Sequence, residues 1–372
     1  MSLKRTASLA LALVLLAAPA KSFAGGSDRD AHIDYLERAG IVEGDETGNL
    51  RLNQPISRAE LTKVITAALS AKGEVALAED AETRYTDISP EHWAKKYIGA
   101  LSSVNADRPV PILTGYEDGS FRPENETTVA EATKILDVLT TDLSSDEVKN
   151  LAWPNGWLRL GEEMGIALSE TRPNTSALRG DVFDALYRAY FEERPSEPQD
   201  ALTRKVDAFN RGTSFNHARY QRELLRLLNA ERQKRGLKPL TLSNTLYRGS
   251  RMRAKELAAY GSMRIGDKKH VRPDGRPYAT AYDYLSYRHP ERHIGENLIQ
   301  YTLPRDREDE TIPLITDPAF LARDSYDHWY KSSGHRENML DPLYTKVNIQ
   351  LYAAPTSKDS EDAILIGAMA LE

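Results

Sequence analysis

Two histidines and a glutamate offer the clearest chemistry in this chain. His335 stands in Ser332-Ser333-Gly334-His335-Arg336-Glu337-Asn338, just behind the aromatic run ending in His328-Trp329-Tyr330. His270 lies in Lys269-His270-Val271-Arg272-Pro273-Asp274-Gly275, and Glu296 in Gly295-Glu296-Asn297-Leu298. All three sit in polar, turn-rich segments. Two imidazoles and a carboxylate are the raw material of a metal site or an acid–base pair. They are scattered along the chain, so only a fold can bring them together. The absence of cysteine removes thiol catalysis and thiolate metal sites, so a metal has to bind through His and carboxylate. His328 and the His289/His293 pair read as solvated or packed. Ser332 and Ser333 stand in no Gly-x-Ser-x-Gly elbow. No phosphate loop, dinucleotide fingerprint or His-Glu-x-x-His helix is present.

The elements that must position these groups belong to more than one domain, since 372 residues exceed one ordinary domain. A net charge of −6 argues against general nucleic-acid binding. Residues 1–24 read as a secretory signal peptide. Lys4 and Arg5 form the charged region, Leu9 to Ala18 the apolar run, and Ser22-Phe23-Ala24 the cleavage site. No later stretch is apolar enough to span a bilayer. The expected product is exported and wall-attached or free. Without disulfides it must rely on core burial.

The front half repeats itself. The clearest copy runs from Tyr85-Thr86-Asp87-Ile88 through His92-Trp93-Ala94. A helical face with Trp93, Tyr97, Ile98 and Leu101 leads to Leu113-Thr114-Gly115-Tyr116-Glu117-Asp118-Gly119-Ser120-Phe121-Arg122-Pro123 and a second helix from Thr128. The first copy has Gly48-Asn49-Leu50-Arg51-Leu52 as its turn. Its second helix opens at Pro55-Ile56-Ser57-Arg58-Ala59-Glu60, with Ser57 and Glu60 spaced as a capping box. The third copy runs from Trp157 to Ile166, and its second helix starts at Leu178-Arg179-Gly180-Asp181.

This triplet resembles the S-layer homology module over residues 28–192, with copies at about 28–72, 84–141 and 150–192. The resemblance implies an all-α, three-pronged bundle that binds secondary cell-wall polysaccharide without a covalent link. It implies glycan contacts at Arg58, Glu60 and Arg179, since a guanidinium fork suits acidic sugar substituents. Copy two has Val129 in place of the arginine, and copy three has Gly180-Asp181 in place of Ala-Glu.

A charged, proline-bearing stretch, Glu192 to Asp200, and the break Asn210 to Ser214 delimit a linker over 193–214, bridged by a short helix at Ala201–Phe209. From residue 215 onward, helices precede strands. Tyr220, Leu224, Leu227 and Leu228 recur at helical spacing before Gly236. Asp317-Pro318 starts a helix with a core stripe of Phe320, Tyr326 and Trp329. Val347–Tyr352 and Ile364–Leu371 read as strands. Arg305 to Glu310 is a charged loop. The pattern predicts an α+β domain.

Leu228-Asn229-Ala230-Glu231-Arg232, the His270 segment, Gly295-Glu296-Asn297-Leu298 and Trp329 through Leu340 occur in the order of the CAP superfamily of cysteine-rich secretory, antigen 5 and pathogenesis-related proteins. The resemblance covers residues 216–372 and implies a three-layer α-β-α sandwich. It implies a cleft lined by His270, His335 and Glu296. Ser332 stands where a second glutamate belongs, so a Zn²⁺ ion there would have three protein ligands, completed by water. Arg336 and Asn338 read as structural.

Two functions follow. In one, the repeats tether a non-catalytic surface protein whose cleft binds a metal, lipid, glycan or partner. In the other, the cleft is a metal-assisted hydrolase of peptide or wall polymer, with Glu296 as general base.

Overall fold

Capping residues fix where the front half turns helical. The helices are α1 (Asp28–Arg38), α2 (Arg58–Ala71), α3 (Lys95–Ala106), α4 (Val129–Thr140), α5 (Ser145–Asn150), α6 (Asn155–Glu163) and α7 (Arg179–Tyr190). Ser57 and Glu60 close a capping box on α2, and Thr128 and Glu131 close one on α4. The computed structural model describes residues 28–78, 81–106, 108–192, 200–286, 294–303, 317–356 and 362–372. The leader expected over 1–24, the Arg305–Glu310 run, His289 and His293 lie outside them.

The three repeats close a ring. Ile56 N–H donates to Ala177 O at 3.0 Å, Ala177 N–H to Thr127 O at 2.8 Å, and Thr127 N–H to Ile56 O at 2.9 Å. The first amides of each second helix are also met by another repeat. Arg58 and Ala59 donate to Asn125 and Pro123, Val129 and Ala130 to Thr175 and Pro173, and Arg179 and Gly180 to Gln54 and Leu52. Donors that a free helix end leaves unmet are thus satisfied cyclically. One apolar core, including Leu36, Ile65, Ile98, Leu136, Leu160 and Phe183, runs through all three copies. Trp93 departs from the expected core face. It precedes α3 and is 49% exposed.

The second half contributes α8 (Ala201–Arg211), α9 (His217–Lys234), α10 (Tyr247–Tyr260), the single turn α11 (Asp283–Ser286), α12 (Pro318–Lys331) and α13 (Ser333–Leu340). Its strands are β1 (Thr241–Leu242), β2 (Arg264–Ile265), β3 (Lys268–Lys269), β4 (Gly295–Leu303), β5 (Lys346–Pro355) and β6 (Ala363–Leu371). A mixed sheet has the order β1-β5-β6-β4, with β1 parallel to β5 and the other pairs antiparallel. Strand alternation distributes β6 between two layers. Ile364, Ile366 and Ala368 pack with Ala254 and Leu257 of α10. Leu365, Met369 and Leu371 pack with Leu224 and Leu228 of α9 and Leu321 and Trp329 of α12. Helices therefore cover both faces of the sheet. Phe320 leaves the expected stripe and is 49% exposed, while Trp329 is buried. Residues 200–214 do not behave as a linker. Asp200 caps α8, whose Val206 and Phe209 join the second core.

Helix α6 of the third repeat packs against α8 and α9. Arg159 donates to Gln350 Oε1 at 2.5 Å, and Glu163 pairs with Arg251 of α10 at 2.7 Å and accepts from Tyr352 at 2.9 Å. His217 is buried at this junction, and its Nε2–H donates to Phe209 O at 2.8 Å. Burial first, and then the Arg159 charge, hold this imidazole well below its ordinary value of 6.5. Below that pH the unfolded chain takes up a proton that the folded chain refuses, so stability falls on acidification. The slope attributable to one such group is at most about 1.4 kcal/mol per pH unit. Urea unfolding between pH 7.5 and 5.0 should show a shallower acid loss in His217→Gln than in wild type. Identical slopes would refute this role.

Candidate functional site

The cleft is assembled from four elements. Strand β4 opens at Gly295, where an added Cβ would lie 2.7 Å from the Tyr344 hydroxyl oxygen, so only glycine lets that ring approach. The next residue, Glu296, is 3% exposed. Its position on a strand rather than in a turn is what aims its carboxylate into the domain. Arg253 of α10 meets it, with Nε donating to Oε1 at 2.7 Å and Nη2 to Oε2 at 3.2 Å. His270 has a left-handed backbone (φ 56°), an uncommon state that stores strain, and its Nδ1–H donates to Glu296 Oε2 at 3.0 Å. His335 enters on α13. Burial, followed by the charges of His270 and Lys269, lowers its pKa.

The surrounding polar residues serve as scaffold. Asn297 Nδ2 donates to His335 O at 3.0 Å, and Asn338 Nδ2 to Asn297 Oδ1 at 2.9 Å. Arg336 donates to Tyr330 O at 2.8 Å. Arg253 also binds Glu256, which in turn accepts from Arg272. Burial works against the Arg253 charge, but Glu296 and Glu256 outweigh it and raise its pKa. Sequence reasoning missed Arg253. The signal was an arginine at the same helical spacing as the buried residues Ser250, Ala254 and Leu257.

A bound Zn²⁺ needs its ligand atoms to converge at about 2.0–2.1 Å. Among the described residues no three His, Cys, Asp or Glu side chains are grouped to do this. Both Glu296 oxygens are engaged by Arg253, and one also by His270. A dication would have to displace a buried guanidinium. The donor set does not fit the three-ligand site.

A second candidate lies in the front half. A groove of about 220 Å³ is lined by Asn49, Arg51, Lys63, Trp93 and Arg179, among others. Arg179 Nη1 donates to Glu60 Oε1 at 2.6 Å and Nε to Leu50 O at 2.8 Å. Two of the expected glycan residues are thus brought together. Arg51 pairs with Asp45 at 2.8 Å and Lys63 with Glu43 at 2.6 Å, so each cation of the groove holds a carboxylate.

Arg58 is placed differently. It is 4% exposed, lies over the Phe121 and Tyr116 rings, and donates to Phe121 O at 2.9 Å and Thr114 O at 2.8 Å. Its guanidinium holds the neighbouring repeat's loop. Arg58→Ala should therefore cost about 2–4 kcal/mol through orphaned carbonyls and a cavity, with wall binding of the folded fraction retained. Urea unfolding alongside a binding assay separates the two effects. Lost binding at unchanged stability would reverse the assignment.

Residues 225–358 match the family model of the Cysteine-rich secretory protein family, CAP, and residues 26–62 match that of the S-layer homology domain. The chain carries a CAP domain behind an S-layer homology domain. The Middle cell wall protein of Brevibacillus brevis is 33% identical over 164 residues, covering 44% of this chain and 14% of that protein. The uncharacterized protein YkwD of Bacillus subtilis is 26% identical over 131 residues, 35% of this chain and 41% of its own. A solved extracellular protein containing a SCP domain, from Bacillus anthracis, aligns over 48% of this chain and 45% of its own at 14% identity, with a TM-score of 0.28. This chain spans less than half the length of each. The S-layer homology domain and the cell-wall relative mark a secreted protein associated with the cell wall or S-layer. No helix among the described residues is long and apolar enough to cross a membrane.

Proposed function

We propose that this protein is anchored to the cell wall by an acidic secondary polysaccharide seated in the Trp93–Arg179 groove, and that it displays the CAP cleft as a binding surface. One observation carries the anchoring role: all three repeats contribute to one groove. Arg51, Glu60 and Lys63 come from the first copy, Trp93 from the second and Arg179 from the third. The half-exposed indole offers a flat apolar face to a sugar ring. The guanidiniums offer paired donors to carboxylate or ketal oxygens, in exchange for Glu60 and Asp45.

In co-sedimentation of the chain with purified walls, Trp93→Ala and Arg179→Ala should each weaken binding about tenfold or more, the equivalent of about 1.4 kcal/mol. Wild-type retention by both folded variants would reject the groove.

For the cleft, Lys269, His270 and His335 favour a hydroxyl-rich or acidic ligand such as a glycan. The hydrolase alternative requires Glu296 as metal ligand or free base, and its salt bridge to Arg253 supports neither role.

A further inference from the structure

The junction between the helical half and the CAP domain buries two guanidiniums, and among the described residues only one of them pairs directly with a carboxylate. Arg159 and Arg251 are 3% and 1% exposed. Arg251 pairs with Glu163 at 2.7 Å and approaches Glu162 at 3.8 Å, and Lys255 also reaches Glu163, at 3.4 Å. Arg159 has no carboxylate partner among the described residues. It relies on Gln350 Oε1 at 2.5 Å and on Leu351 O at 3.5 Å, the latter at the limit of a hydrogen bond. A buried cation without a counter-charge is costly, by several kcal/mol. Burial first, and then the Arg251 charge, pull the Arg159 pKa down to about 9.

At the same junction lies a small cavity of about 20 Å³, lined by Arg159, Tyr247, His217 and Gly156, among others. That volume holds one particle of about the size of a water molecule. The Tyr247 hydroxyl is buried and has no hydrogen-bond partner among the described residues. Buried donors are seldom left unmet, and those that are call for an explanation. Arg159, without a carboxylate partner among the described residues, and Tyr247, with an unmet O–H donor, line the same space, and both favour an acceptor with negative charge.

We propose that this junction cavity is a binding site for one small monovalent inorganic anion of halide size, held by the Arg159 guanidinium and the Tyr247 hydroxyl. The ion joins the two domains, since Arg159 belongs to the third repeat and Tyr247 to the CAP domain. A neutral water would satisfy the phenol but not the Arg159 charge. An organic anion such as gluconate is too large for the space.

The test compares thermal unfolding of the full chain in sodium bromide or chloride with sodium gluconate at equal ionic strength. Halide should raise the midpoint saturably, as expected for a ligand that binds only the folded state. Tyr247→Phe should reduce that rise, and Arg159→Met should abolish it. Bromide-soaked crystals should show an anomalous peak between residues 159 and 247. If Arg159→Met fails to fold, Tyr247→Phe and the anomalous map remain decisive. Equal midpoints in both salts, a halide response unchanged in Tyr247→Phe, or a cavity holding water alone would each overturn the proposal.

Discussion

Arg232→Met should destabilise the CAP domain by about 3–5 kcal/mol, a large share of the stability of an ordinary domain. Arg232 has no exposed surface. Its guanidinium donates to Lys238 O at 2.8 Å, Met339 O at 2.9 Å, Asp341 O at 3.0 Å and Tyr344 O at 3.0 Å. It thereby ties the end of α9 to the end of α13 and to the loop entering β5. Methionine fills part of the volume but leaves four carbonyls with no donor. Arg232→Lys should recover little, because one ammonium cannot reproduce a planar fork. Urea unfolding measures the loss. A cost below about 1 kcal/mol would mean that water or a shifted loop replaces the bonds.

Arg253→Met is the second large effect. Glu296 would keep its burial and lose its counter-ion, which typically costs about 3–5 kcal/mol. The double change Arg253→Met/Glu296→Leu should be far milder than the single one, because replacing a whole buried pair by apolar groups is near neutral. A thermodynamic cycle over the four proteins reads the coupling directly. Simple additivity would show that the pair is not a unit. The same double variant strips the cleft of its carboxylate while His335 remains, so it also separates scaffold from ligand contact.

Much of this was legible in the sequence, for physical reasons that differ between sites. Ser57 with Glu60 and Asp317 with Pro318 announce helix starts through local hydrogen bonding, and both appear where expected. The CAP resemblance implies one cleft for His270 and Glu296, and they share a hydrogen bond. Strand β4 went unread because Gly295-Glu296-Asn297 carries the composition of a turn, and the burial of Glu296 depends on Arg253 from a distant helix. Arg58 and Arg179 hold equivalent places in their repeats. Which of them opens onto a groove is decided by the neighbouring copy's loop: Tyr116 and Phe121 cover Arg58, while Leu50 and Glu60 leave Arg179 reachable. Helix α8 lay in a region read as a linker because its flanks are charged and proline-rich, yet its own Val206 and Phe209 keep helical spacing toward the core.

The claim that one shared groove anchors the protein is tested most directly by equilibrium titration of the chain with soluble secondary wall polysaccharide, before and after chemical removal of its acidic substituents. Saturable binding should weaken about tenfold or more both in Arg179→Ala and on removal of the acidic groups, the two losses failing to add. Equal affinity for native and stripped polymer, with Arg179→Ala indistinguishable from wild type, would contradict it.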